Sequence, residues 1–245
     1  MKNLNLIIFS FCSLLHINAN SQHILTPTKI KTITEQPQIR ASDILWHKRI
    51  WREIDLKEKQ NEHLYFSKNN PLPNNCLFDI LLHFINKGQL IAYSTKDDSF
   101  TKELSIEDIK SLLPSNFNNK DVVKIWLKED WIYNSLYSKI EVRITGICPV
   151  ILNRDEKGAI TGYKQLFWLY FPNVRTVLVN FDAIKTEETT TSFDDIFIHR
   201  MFSSFIIKRK SEGNNYTKQN LLDEQLDLER SKIYQFNEIN DSWGD

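Results

Sequence analysis

Glycine is scarce in this chain, six among 245 residues, and neither a GxGxxG nor a GxxxxGK[ST] spacing occurs. The phosphate-cradling loops of nucleotide-binding enzymes are thereby excluded. The six histidines (16, 23, 47, 63, 83 and 199) never stand at HxH or HxxxH spacing. A zinc site needs three or four ligands with recognisable local pairs, so no metal and no cofactor is expected. Net charge is also absent, with 31 basic and 31 acidic side chains. Nucleic acid demands a net basic footprint, so that class of partner drops out. No serine lies in a GxSxG elbow, and no apolar run beyond the first residues approaches the roughly 20 needed to span a bilayer.

What the N-terminus does contain is a positive start at Lys2, an apolar run from Leu6 to Leu15, and Ala19-Asn20-Ser21 ahead of Gln22. That pattern predicts a secretory signal peptide over residues 1–21. Ten helical residues reach about 15 Å, half the hydrocarbon thickness, so the run is too short for a transmembrane anchor. Cys12 follows Phe11 in mid-run rather than a small residue at a cleavage site, which argues against lipid attachment. The processed chain is expected in the periplasm with no direct membrane insertion, held to any membrane through another protein. Lys2 is the one charged residue lost, leaving 30 basic against 31 acidic side chains.

Cys76 and Cys148 remain. A bridge between them would close a loop of about 73 residues, worth roughly 4 kcal/mol in the chain-entropy model. Their apolar surroundings suit two separate buried thiols equally well.

Residues 22–41, rich in Thr, Lys, Gln and Pro, form an extended N-terminal arm. Residues 42–210 form the folded domain, and 211–245 a charged C-terminal helix (about Lys218 to Phe236) and tail. In the domain, Ser42-Asp43 opens a helix with Trp46, Ile50, Trp51 and Ile54 on one face. Leu64 to Phe66 reads as a short extended piece, followed by a turn at Pro71–Asn75. Phe78, Leu81, Leu82 and Ile85 mark a second helix ended by Gly88. Gln89 to Tyr93 suggests a strand, and Ser105-Ile-Glu-Asp108 caps a short helix stopped before Pro114. Ile140, Val142 and Ile144 then alternate with polar residues as a half-buried strand, with Val122–Tyr133 pairing on one side of it. Leu166–Phe171 returns on the other side after a turn at Arg154–Gly158. With a helical stretch near Val174–Ile184, the fold class is α+β: an antiparallel meander of three strands or more, packed with helices.

The run Phe193 to Phe205 invites two opposed readings. Asp194, Asp195, His199 and Arg200 suggest a catalytic cluster. The same acids also suit a helix start, with Ser192 as cap and Asp195 closing a capping box, and Asp195 with His199 makes an i, i+4 pair. Phe193, Phe197, Met201 and Phe205 recur every four residues as a stripe that either closes the core or meets a neighbouring subunit. For a carboxylate-dependent hydrolase the candidates are Glu129-Asp130 and Asp97-Asp98. Adjacent acids on a strand point to opposite faces, and the second pair sits in a polar turn, so neither forms a working pair. Trp126, Trp131 and Trp168 are the candidates for stacking on glycans in a peptidoglycan-binding module. The residues expected to pack the core or face a partner are Trp46, Trp51, Trp131, Phe193, Phe197, Met201 and Phe205.

Four blocks in order, Leu45–Phe66 (LWHKRIWREIDLKEKQNEHLYF), Lys128–Val150 (KEDWIYNSLYSKIEVRITGICPV), Leu166–Arg175 (LFWLYFPNVR) and Phe193–Phe205 (FDDIFIHRMFSSF), resemble the GldN/PorN family. The resemblance runs from about Asp43 to Phe205. It implies a non-enzymatic periplasmic component of the type IX secretion system of the Bacteroidota, supporting protein secretion and gliding motility. It further implies a ring built from copies of the chain and a GldK/PorK-like outer-membrane lipoprotein, in contact with a GldM/PorM-like inner-membrane motor subunit. The location implied is the inner face of the outer membrane. After Phe205 the chain departs from the family pattern: basic Ile206–Lys210 replaces an acidic, aromatic continuation.

Overall fold

The computed structural model describes residues 31–65, 76–97, 99–114, 117–155 and 158–210. The expected signal peptide, Phe66, the Pro71–Asn75 turn and the C-terminal helix lie outside the described residues.

The chain is built on one large antiparallel sheet. In chain order its strands are β1 (Ile44–Asp55), β2 (Ala92–Tyr93), β3 (Glu103–Leu104), β4 (Val122–Asn134), β5 (Lys139–Arg154), β6 (Ile160–Gln165) and β7 (Trp168–Tyr170). β8 (Asp182–Lys185) and β9 (Thr190–Ser192) pair with each other in a separate two-stranded sheet, and β10 (Phe205–Lys210) rejoins the large sheet. The order across that sheet is β10-β1-β4-β5-β7-β2-β3, with β6 also pairing β5. The helices are α1 (Glu62–Tyr65), α2 (Leu77–Asn86), α3 (Ile106–Leu112), α4 (Phe171–Leu178) and α5 (Phe193–Ile198).

The β4–β5 hairpin forms as its alternation predicts, from Val122 opposite Ile151 to Asn134 opposite Lys139. Two bulges, one at Val122/Lys124 and one at Lys128/Glu129, shift its register. α2 and α3 also match expectation. Gly88 ends the α2 region at φ 69°, and Ser105 with Asp108 closes a reciprocal capping box on α3. Each is decided by residues within one turn of the helix end.

The segment from Ser42 is not the expected helix. It is β1, paired with β4 along its length and with β10 from Arg49 to Glu53. Apolar positions 46, 50, 51 and 54 fit a helical stripe, but a strand buried on both faces also loses its alternation. Parity then separates the two tryptophans. Ile54 enters the main core and Ile50 joins Trp131, while Trp51 packs on the other face with Cys148 and Trp168. Three further expectations are corrected. Leu64 and Tyr65 are helical, the strand expected from Gln89 is only Ala92–Tyr93, and Leu166–Phe171 contributes only the three residues of β7 before α4 starts at Phe171. The helical stretch near Val174 ends at Leu178 and gives way to β8.

The main core lies between one face of the sheet and helices α2, α4 and α5, with Ile125, Leu127 and Ile147 meeting Phe78, Leu81, Val174, Phe193 and Phe197. A second cluster on the same face holds Ile50, Trp131 and Ile206, flanked by Trp46, Ile140 and Val142, all strand residues among the described ones. The other face carries the Trp51–Cys148–Trp168 group, with Tyr93, Phe100 and Trp126 against it. Gly146 allows this packing: a Cβ there would stand 2.8 Å from Phe100 and 3.1 Å from Trp168. From the arm, the Lys31 backbone N–H donates to Asn180 (2.7 Å), and Thr34 and Pro37 carbonyls accept from Arg175 and Arg143.

Candidate functional site

α5 starts as expected. The Asp195 backbone N–H donates to Ser192 Oγ at 3.1 Å, and the Ser192 N–H donates back to Asp195 Oδ2 at 2.9 Å. Burial works to raise the Asp195 carboxyl, but the Ser192 bonds outweigh it and hold the group below its ordinary range. Asp194 has a different task. It accepts two bonds from Arg175 of α4, 2.8 and 3.0 Å, with both side chains buried.

The helix does not continue to Phe205. Arg200 turns left-handed at φ 53°, its N–H reaches the Phe197 carbonyl, and the Met201 N–H reaches Ile196. This is a Schellman end with arginine where glycine is usual. The four-residue stripe is cut in half as a result. Phe193 and Phe197 are fully buried, whereas Met201 and Phe205 stand 43% exposed. Each buried phenylalanine is worth about 1.5–3 kcal/mol of core.

The loop after α5 is strapped to the sheet by polar contacts. The Ser203 N–H donates to Asn61 Oδ1 (2.8 Å), Asn61 Nδ2 donates to the carbonyls of Ser203 and Asp55, and Arg52 donates to Ser204 through two bonds. Arg200 Nη1 stands 2.8 Å from a carboxylate oxygen of Glu129, which is closed to solvent, and Trp131 Nε1 donates to the other oxygen at 2.9 Å. Asp194, Asp195 and Arg200 are thus engaged in cap, ion pair and loop anchor.

The other candidates meet the same outcome. Glu129 and Asp130 face opposite sides of the sheet: Asp130 accepts 2.7 and 3.0 Å bonds from Arg49 and lies 3.1 Å from His47 Nε2. Burial acts to raise Asp130, yet Arg49 and His47 together lower it. Asp97 lies exposed in its turn and accepts from the Ser99 N–H, while Asp98 lies outside the described residues. Trp131 and Trp168 are buried, and Trp126 is half-buried with its Nε1 on Glu53 at 2.7 Å, so none offers an open stacking face. Cys76 and Cys148 are two free buried thiols rather than a bridge. Among the described residues, no three His, Cys, Asp or Glu side chains group to hold a metal, and no helix is long and apolar enough to cross a membrane.

Of the seven expected packing or partner residues, Trp51, Trp131, Phe193 and Phe197 are core, Trp46 is half-buried, and Met201 and Phe205 are at the surface. The surface with the chemistry of a contact site lies elsewhere, at the end of the sheet where β1 begins and the β4–β5 hairpin turns. Leu45 (69% exposed), Leu136 (63%) and Tyr137 (65%) project there beside Ile44. Ser135 holds the tip by donating from its N–H and hydroxyl to the Asp43 carbonyl at 2.7 and 3.0 Å. Trp46 stacks on Tyr133 at 6.2 Å, Lys48 sits over Trp46, and Lys139 over Tyr137. The sequence signal was an apolar pair, Leu136-Tyr137, inside a polar hairpin turn. A turn normally sheds apolar residues.

Compared with curated proteins, the chain has no match. A family model described as gliding motility associated protein GldN matches residues 39–243, from the end of the arm through the whole sheet and beyond it. The chain belongs to the GldN family, whose role lies in gliding motility and type IX secretion.

Proposed function

We propose that the protein is a non-catalytic structural subunit of the type IX secretion apparatus, acting in the periplasm through contacts with other proteins. It assembles with a GldK/PorK-like outer-membrane lipoprotein into a ring containing many copies of itself, and touches a GldM/PorM-like motor subunit. The lipoprotein supplies its hold on the outer membrane. The observation that carries this reading is the family match over 39–243, which embraces the entire described domain.

The geometry supports it. Asp194, Asp195, Arg200, Glu129 and Asp130 are held in a cap and ion pairs, while large apolar side chains project at one end of the sheet. Exposed apolar patches on an otherwise well-packed domain mark contact sites. Co-expressed with the lipoprotein, the chain is expected to elute as a very large assembly and to appear as rings by negative stain. A chain that stays monomeric beside a folded lipoprotein would overturn the proposal.

A further inference from the structure

The β4–β5 hairpin ends in a knob that the chain holds ready-made. Asn134, 3% exposed, accepts from the Leu136 N–H at 3.1 Å and donates from Nδ2 to Glu141 at 2.9 Å. Ser135 ties the same turn to the Asp43 carbonyl through its N–H and its hydroxyl. Ser138 closes it at φ 50°, a left-handed position that a glycine would occupy more easily. An enclosed amide and a strained serine thus hold up Leu136 and Tyr137, two side chains that a turn normally sheds. A turn fixed by such bonds loses little conformational entropy when it meets a partner.

Leu45 and Ile44 stand beside the knob, and the four side chains together offer on the order of 400 Å² of apolar surface, the size of the largest patch on a typical monomer. Two such ends face to face would bury about 800 Å² in total, which is the area of a lattice contact and too little for a stable dimer. Charge opposes that pairing as well. Lys48 lies over the ring of Trp46 and Lys139 over that of Tyr137, so two copies would bring like charges together. Among the described residues, the carboxylates at this end are answered within the chain: Asp43 by Ser42, Asp130 by Arg49, and Glu141 by Arg143 and Asn134. Lys139 reaches Glu141 only at 3.8 Å. The rim is therefore cationic, and the surface that fits it has an apolar floor and an acidic edge.

A permanent partner suits this knob better than an intermittent one. Permanent interfaces are the more hydrophobic class, whereas a motor that makes and breaks contact is served by more polar ones. We propose that, within the ring assembly on which this rests, Leu45, Leu136 and Tyr137 enter as one knob an apolar, acid-rimmed cleft of the lipoprotein partner. Tyr137 is the anchor, the two leucines flank it, and Lys139 meets a carboxylate at the edge of the cleft.

The test places p-benzoylphenylalanine at Tyr137 in the full-length chain co-expressed with the lipoprotein, with the same residue at exposed Ile160 on β6 as control. Irradiation is expected to join position 137 to the lipoprotein, and position 160 at least tenfold less. In binding titrations against the purified lipoprotein, Leu136→Asp with Tyr137→Asp should weaken association at least tenfold, with the thermal midpoint unchanged because both side chains are mostly in water. Lys139→Glu should weaken it about threefold or more at low salt and much less at about 1 M, where charge is screened within roughly 3 Å. The cross-link reads the contact without relying on the fold of either variant. Cross-links from position 137 to a second copy, to the motor subunit or to this chain's own residues, no preference over position 160, or parental binding by either variant would overturn the proposal. Rings that form while position 137 cross-links elsewhere sink the knob alone; a lipoprotein that forms no complex with the chain sinks the ring and the knob together.

Discussion

The guanidinium of Arg175 on α4 grips the carboxylate of Asp194 on α5 through two parallel bonds of 2.8 and 3.0 Å, with 8% and 5% of the two side chains exposed. A third bond, 3.0 Å from Arg175 to the Thr34 carbonyl, ties the arm to the same point. Removing one partner of a buried pair strands the other charge, at a cost of about 3–5 kcal/mol. Asp194→Ala is therefore expected to lower the unfolding free energy read from urea titration by about 3–5 kcal/mol. Asp195→Ala should cost about 1 kcal/mol, the value of a cap. Equal losses at the two positions would contradict this division of labour between neighbouring acids.

Asp130 is where pH acts. Its carboxyl is held below the ordinary value of 3.8, because the Arg49 and His47 bonds outweigh the upward push of burial. A group depressed in the folded state stabilises above its unfolded pKa, and that stability drains away as pH falls through the folded value. The loss belongs below about pH 4. Asp130→Asn should cost about 1 kcal/mol at pH 7, a modest figure because the pair is partly open to water. The gap from the parent chain should narrow as pH falls below about 4 in a urea-unfolding series. A gap that stays constant with pH would show that the charge is not what matters.

How legible the chain was depended on range. Ser105, Ser192 and Gly88 announced helix ends correctly because a cap is a bargain between residues within one turn. The β4–β5 hairpin was legible because one face is apolar and the other polar for much of its length. β1 was not, since burial on both faces removed the alternation that distinguishes a strand. The stop at His199 was hidden for a related reason. Arg200 takes the left-handed position where a glycine would have signalled the end, so the stripe from Phe193 to Phe205 looked continuous. The contact surface at Leu45 and Tyr137 depends on two segments about 90 residues apart meeting at one sheet end, which no local pattern records.

The two thiols are expected to behave differently despite sharing one residue type. Burial pushes both upward in pKa, so the native chain should resist thiolate-directed reagents at pH 8 until it is unfolded. Cys76 is the N-cap of α2: its sulfur accepts from the Asp79 N–H at 3.4 Å and donates to Asp79 Oδ2 at 2.9 Å. A serine hydroxyl does that job at least as well, so Cys76→Ser should change stability by less than about 1 kcal/mol. Cys148 packs with Trp51 and Trp168, its sulfur 3.6 Å from the Pro149 carbonyl and within reach of the Leu166 and Phe167 backbone N–H groups. Cys148→Ser moves a more strongly hydrated hydroxyl into this closed apolar site and should cost about 1–3 kcal/mol. The urea midpoints of the two variants check the ordering.

Arg200 sets two effects against each other, and their magnitudes decide the sign. A left-handed residue other than glycine costs about 1–2 kcal/mol, so Arg200→Gly relieves backbone strain. The same change removes the cation 2.8 Å from Glu129, whose side chain is fully enclosed. An uncompensated buried carboxylate costs about 3–5 kcal/mol, and the Trp131 N–H that remains is a neutral donor. The substitution should therefore destabilise by about 1–4 kcal/mol although it installs the preferred residue for a Schellman end. Arg200→Gly combined with Glu129→Gln should recover much of the loss, because the amide keeps the shape and carries no charge. If Arg200→Gly proves neutral or stabilising by urea unfolding, the Glu129 pair does not hold the loop to the sheet. Recovery in the double variant but not in Arg200→Gly with Asp130→Asn would place the coupling at Glu129 and on its side of the sheet.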